Sequence, residues 1–230
     1  MANWVKLDNV DHAGLAVARR HGAAFGDAVN QLLVFPTEFE QVQRDCPILF
    51  RRDDQGRFYA VALLGLDLDE NLFLADDAWT ARYVPVLQQR GPFTADPAGG
   101  LPLIDLDDAR VGADDGEPLF LPHGGSTPYL QHITAVIEAI GHGRNSIAPF
   151  FTALDELGLL RARALDLQLG DGASYTIADV FTLDEARLAD LPAAALLPLH
   201  RSGMLRAATM AAASLGNVAR LIELKNARRG

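Results

Sequence analysis

Six histidines, one cysteine and 30 carboxylates are the residues of this 230-residue chain from which chemistry would start. The histidines are His12, His21, His123, His132, His142 and His200. None forms H-E-x-x-H, which places two imidazoles on one helix face for zinc. None is followed two residues later by Asp or Glu, as the two-histidine, one-carboxylate iron site requires. Glu138 and His142 stand one helical turn apart, but Gly141 reads as a helix stop between them, so the pair is a surface contact. Whether His12, His21, His123, His132 and His142 converge depends on the fold. Asp67, Asp69 and Asn71 copy the opening of a calcium loop, yet Leu72 and Ala78 stand where that loop needs its glycine and its last glutamate. No metal ion or other cofactor is expected.

Other local chemistries fail in the same way. There is no G-x-x-x-x-G-K phosphate loop, and Gly141-His142-Gly143 lacks a preceding strand and a third glycine. No G-x-S-x-G elbow presents a serine nucleophile. Carboxylates are plentiful but show no spacing diagnostic of two-carboxylate hydrolysis. Cys46, beside Pro47-Ile48-Leu49-Phe50, reads as a small buried apolar residue, and a lone thiol fits a reducing cytoplasm. The candidate binding residues are Trp79, Arg90 and Phe93, with Asn71 near them, because Trp and Arg dominate recognition surfaces. For the aromatics, core packing is the competing reading.

Bulk composition narrows the partners. A hydrophobic content of 49% with 22% charged residues is that of a folded globular chain. A formal net charge of −10 argues against nucleic acid, which needs clustered Lys and Arg, and against an anionic membrane surface. The N-terminus has no basic region followed by a long apolar stretch, and no segment approaches the roughly 18–20 apolar residues of a membrane span. The expectation is a soluble, cytoplasmic protein.

The elements that must position these residues follow from periodicity and punctuation. Ile48-Leu49-Phe50 and Phe58 to Leu64 read as two strands around the turn Asp53-Asp54-Gln55-Gly56. Both are apolar on successive residues, as in a hairpin covered on both faces. Thr37-Glu38-Phe39-Glu40 has the capping-box pattern, with Thr37 as cap of a short helix. Asn71–Leu74 reads as a strand, Trp79–Gln89 as a helix or turn broken at Pro85, and Leu101–Leu106 and Leu119–Leu121 as strands. Ser126-Thr127-Pro128 starts a helix whose Leu130, Ile133, Ile137 and Ile140 share one face, and Gly141 and Gly143 are expected to end it. A second helix is expected from Ile147 to Leu157, then a hairpin through Leu165, Leu167, Leu169, Tyr175 and Ile177. The C-terminal third reads as helical.

The order of segments carries a resemblance. His12, Glu38-Phe39, Cys46 to Phe50, Ala62 to Leu66, Asn71-Leu72-Phe73, Trp79, Tyr83-Val84-Pro85 and Arg90 to Phe93, followed by Gly116 to Phe120 and Leu199 to Leu205, resemble the bacterial SapC family over nearly the whole chain. Cys46 and Gly91 depart from the family pattern, which has aromatic or similar residues there. The resemblance implies one SapC-like domain over 1–230, with a soft boundary near 95–115, and no catalytic residues to carry over. The family is named for surface-layer gene clusters, and relatives stand beside genes for TonB-dependent receptors, flavin-dependent halogenase-like proteins and cupin-type oxygenases.

The expected fold is α+β: a mainly antiparallel sheet with a β-rich N-terminal half and a helical C-terminal part. The expected function is a SapC-like accessory or binding protein of a surface-associated or peptide-modifying pathway, without catalysis of its own. The rivals are a metal-dependent, oxygenase-type modifying enzyme with a site assembled from distant His and Asp/Glu, and a structural surface-layer component. The expected partner is a protein or peptide encoded by a neighbouring gene, with a homodimer allowed and no nucleic acid or membrane insertion.

Overall fold

The computed structural model describes residues 2–76 and 78–229. It is an α+β fold around a five-stranded antiparallel sheet. In chain order the strands are β1 (Gln31–Val34), β2 (Ile48–Arg52), β3 (Phe58–Leu63), β4 (Leu160–Gln168) and β5 (Ser174–Leu183). They lie side by side as β4-β5-β2-β3-β1, so the C-terminal hairpin completes the sheet begun by the N-terminal half. The β2–β3 hairpin pairs Ile48 with Ala62 and Arg52 with Phe58, in the register its turn predicts. Ile48, Leu49 and Phe50 are each at most 2% exposed. Successive strand residues point to opposite faces, so both faces of this hairpin are covered.

The long helix α1 (Pro128–Glu156) packs against the sheet through Phe150 and Phe151, whose rings meet Phe50 edge-on at 6.2 and 5.1 Å. Besides short helices of at most five residues, the other helices are α2 (Ala193–Arg201), α3 (Met204–Ser214) and α4 (Val218–Arg229). Ala208, Ala211 and Leu221 bury into the same core, and the Ser214 hydroxyl accepts the Ile48 N–H at 2.8 Å. A clasp fixes α4: the ammonium of Lys225, 6% exposed, donates to Asp67 and to Glu70.

A second, smaller core lies under the other end of α1. Leu7, Val17, Phe93, Ile104, Leu119 and Phe120 close on Tyr129, Leu130 and Ile133 of the helix. Short strands frame it: Trp4–Lys6 pairs with Leu103–Asp105, which also pairs with Phe93–Thr94, and Ala16–Val17 pairs with Glu117–Pro118. Thus α1 spans both cores, the small one with its first turns and the sheet with its last.

Four expectations are corrected. The helix beginning at Thr127, whose side chain accepts the Leu130 N–H, does not end at Gly141 and Gly143 but runs 29 residues as one element. Gly143 is there for packing: a Cβ at that position would lie 2.4 Å from ring atoms of Phe35. Burial of Phe150, Phe151 and Leu154 beyond it outweighs the roughly 1 kcal/mol propensity cost of each glycine. The stop is Gly158, at φ 63, where the left-handed conformation favours glycine. The cap at residues 37–40 sits elsewhere: Glu38 accepts the Phe35 N–H at 3.0 Å, and Glu40 instead pairs with Arg206. Asn71–Leu74 is mostly turn, because the Asn71 side chain accepts the Phe73 N–H; the strand there is only Leu74–Ala75. In the stretches read as strands, Leu103–Asp105 is the strand of the first, and the second contributes only a bridge from Phe120 to Ser126.

Candidate anion-binding cleft

A cleft of about 300 Å³ opens beside the small core, between the 18–21 segment, the chain from Arg82 to Pro92 and the first turns of α1. Its charged lining is Arg19, Arg20, His21, Arg82, Arg110 and His132, with Tyr83, Gln88 and Tyr129 between them and no carboxylate among the described residues. This sits oddly in a chain with 30 acidic and 20 basic residues, and the local scaffold explains how it is held.

Arg110 forms the floor. The turn Asp108-Ala109-Arg110 folds back so that Asp108 accepts the Arg110 backbone N–H at 2.9 Å and its guanidinium at 2.9 and 2.6 Å. The guanidinium also lies 4.8 Å over the Phe25 ring and the residue is 8% exposed, so its orientation is fixed before any ligand arrives. Arg110 holds Asp108 below the ordinary carboxylate range, although partial burial pushes the other way. The Arg110 carbonyl accepts the Ala18 N–H at 2.8 Å and thereby docks the segment carrying Arg19, Arg20 and His21.

Arg19 and Arg20 are exposed at the rim and pair with Glu117 and Asp115 at 3.4 and 2.6 Å. His21 meets the buried Asp27 at 3.2 Å, and Asp27 also accepts the Gly22 N–H. The opposite wall hangs on Glu38. Its carboxylate, 4% exposed, accepts the Tyr83 hydroxyl at 2.9 Å and the Val86 N–H at 3.0 Å in addition to Phe35. Burial nevertheless pushes Glu38 upward, and burial next to Glu38 pushes the Tyr83 phenol upward as well. Arg82 enters the cleft from this wall, its backbone N–H given to Asp45, and its guanidinium has no carboxylate partner among the described residues. From α1 come His132 and Tyr129. Tyr129 is 8% exposed, burial pushes its phenol up to about 12, and its hydroxyl has no hydrogen-bond partner among the described residues.

The four candidate residues read from the sequence all stand around this cleft, and none lines it. Trp79 is half-buried and meets the His21 ring edge-on at 6.2 Å. Phe93 is fully buried, under Tyr129 at 6.3 Å. Arg90 gives one N–H to the Phe93 carbonyl and faces a neighbouring cavity that shares Arg110 and contains Asp27, Asp105 and Asp108. Burial, followed by the nearby Arg144 and Arg110 charges, lowers the Arg90 pKa. Asn71 is 3% exposed and donates to the Asp27 carbonyl, two bonds behind His21.

Of the histidines, His21 and His132 share the cleft. His12 accepts the Asp8 N–H, and His123, His142 and His200 are exposed elsewhere. Glu138 and His142 are both exposed and make no ion pair among the described residues. Asp67 is engaged by Lys225, apart from the inward-facing Asn71. Among the described residues no three His, Cys, Asp or Glu side chains are grouped to hold a metal ion. Cys46 is buried, and burial with the adjacent Asp45 pushes its thiol up to about 12. Sequence reasoning missed Arg19, Arg20, Arg82, Arg110 and Tyr129. The available signal was the Arg19-Arg20-His21 run in so acidic a chain.

The molecule is therefore an α+β protein with an arginine-lined cleft beside its smaller core, and no helix among the described residues is long and apolar enough to cross a membrane. The SapC family model matches residues 7–221, and the chain belongs to the SapC family. No curated protein and no solved structure is matched by it.

Proposed function

We propose that this protein is a cytoplasmic accessory protein without catalysis of its own, and that it holds an anionic group of a protein or peptide partner in the arginine cleft. The pathway in this reading is a bacterial surface-associated or peptide-modifying one, with the partner encoded by a neighbouring gene. The observation that carries it is the one-signed lining: four arginines and two histidines line one cavity, and no carboxylate among the described residues does. Guanidinium groups stay protonated at any physiological pH, and burial keeps the Tyr129 phenol a donor. Guanidinium and phenol groups bind and orient; of the lining residues, the imidazoles of His21 and His132 are the ones whose chemistry allows proton transfer, and the mass of the partner reads that out.

Mixing the full chain with the purified product of each adjacent gene tests the proposal by size-exclusion chromatography with mass detection. The expected result is a complex with one of them that dissolves with Arg20→Gln/Arg82→Gln, both partners emerging with unchanged mass. A complex indifferent to that double substitution would remove the cleft from the reading. A change in the partner's mass would make the protein an enzyme.

A further inference from the structure

Resting on that reading, we infer that the group the cleft accepts is a compact tetrahedral dianion, a phosphate monoester, and not a run of carboxylates. Three observations converge on it. The first is the number and direction of donors. A carboxylate is satisfied by one bidentate guanidinium. Here the donors come from four separate stretches of chain: Arg19 and Arg20, Arg82, Arg110, and His132 on α1. A phosphate monoester carries close to two charges and three acceptor oxygens, which distribute over donors arriving from several sides.

The second is the Tyr129 hydroxyl. It belongs to a residue more than nine-tenths buried, lines the cleft and has no partner among the described residues. That oxygen is not sealed from solvent, since the one sealed, unpaired side-chain polar atom among the described residues is Trp79 Nε1; the phenol is therefore a free donor open to an acceptor oxygen in the cleft. The Arg19 guanidinium stands 5.9 Å over the same ring, so a second cationic donor lies beside the phenol.

The third is the rim. Asp115 and Glu117 hold Arg20 and Arg19 from outside the lining, and Asp108 lies behind Arg110. An extended acidic segment would have to lie across these carboxylates and across a surface of net charge −10. A single dianion inside the cleft avoids them. It also competes with exposed ion pairs that are individually weak, so Arg19 and Arg20 turn inward at little cost. By contrast, the larger groove of about 500 Å³ by Phe58 and Phe151 mixes Arg57 and Arg144 with Asp53 and Asp155 and has no such bias.

Calorimetry and thermal shift on the full chain, with inorganic phosphate, O-phosphoserine, serine, glutarate and hexaglutamate as probes, test the inference. Phosphate and O-phosphoserine are expected to bind at least about tenfold more tightly than glutarate or hexaglutamate, and serine not at all. Tyr129→Phe and Arg82→Gln should each weaken phosphate about tenfold, whereas Arg57→Gln, in the distant groove, should leave it unchanged. The exposed Arg82 keeps the test valid if the buried Tyr129 variant folds poorly. Equal binding of glutarate or hexaglutamate overturns the phosphate inference and leaves the anionic-partner reading standing. Phosphate binding untouched by both substitutions, or no binding, overturns the inference; the partner complex then decides the broader reading separately.

Discussion

The sheet and the cleft are built in opposite ways. The β2–β3 hairpin is made from one continuous stretch, and each side chain's environment follows from alternation along it. The cleft collects residues 18–21, 82–84, 88–89, 91–92, 110, 129 and 132–133, brought together by the small core and by one helix that spans both cores. Around the β2–β3 hairpin the sheet is buried, apolar and dense with aromatic contacts among Phe39, Phe50, Phe58, Phe150 and Phe151. The cleft is open, cationic and held by carboxylates placed behind its walls. In one region packing dictates residue type; in the other, charge is positioned at sites that contribute little to packing. Substitutions should therefore separate stability from binding.

The strongest challenge to that division falls where the regions touch. Gly143→Val would push a branched side chain into Phe35, whose ring already occupies the Cβ position, and shift α1 against both cores. A loss of about 2–3 kcal/mol in urea unfolding is expected, with the cleft distorted too. A neutral result would mean that α1 is not the rigid connection between them.

Next in size is Glu38→Gln. The buried carboxylate accepts two backbone N–H groups and the Tyr83 hydroxyl, and an amide nitrogen in place of one oxygen leaves a donor facing donors. About 1–3 kcal/mol should be lost. The pH dependence gives a second readout. Burial holds folded Glu38 above its ordinary 4.5, so folding takes up a proton there. Its contribution is complete below pH 4.5 and is lost as pH rises through the raised folded value. The Gln variant should lack that decline. Asp67 has the opposite sign: the hydrogen bond from Lys225 holds it below its ordinary 3.8. Its contribution is complete above pH 3.8 and is lost as pH falls through the lower folded value, so Lys225→Met should flatten the acid limb of the urea midpoint. An acid limb identical to wild type would separate the α4 clasp from the stability of the sheet.

This contrast also decides what could be read from residues alone. Ile48 to Leu63, the Thr127 cap and the Leu165–Ile177 hairpin are legible because local pattern and tertiary environment agree. The break expected at Gly141 and Gly143 failed because Phe35, more than 100 residues earlier, fixes the role of Gly143. The capping box expected between Thr37 and Glu40 fails because the cap carboxylate is that of Glu38, whose three donors come from Phe35, Tyr83 and Val86, two of them far along the chain. For the cleft, Trp79, Arg90, Phe93 and Asn71 lie outside its lining. Arg19, Arg20, Arg82 and Arg110 are separated by up to 91 residues and follow no period, so only the fold assembles them.

The smallest expected change in stability is the most informative one. Arg20 and Arg82 are exposed; Arg20 pairs only with the exposed Asp115, and Arg82 has no carboxylate partner among the described residues. Replacing both by Gln removes no buried contact, so Tm should stay within about 2 °C of wild type. If the cleft is functional machinery, the same double variant should lose its phosphate thermal shift and its partner complex together. A large fall in Tm would show that these arginines hold the fold, and the division between a packing region and a binding region would then fail at the residues where it is drawn most sharply.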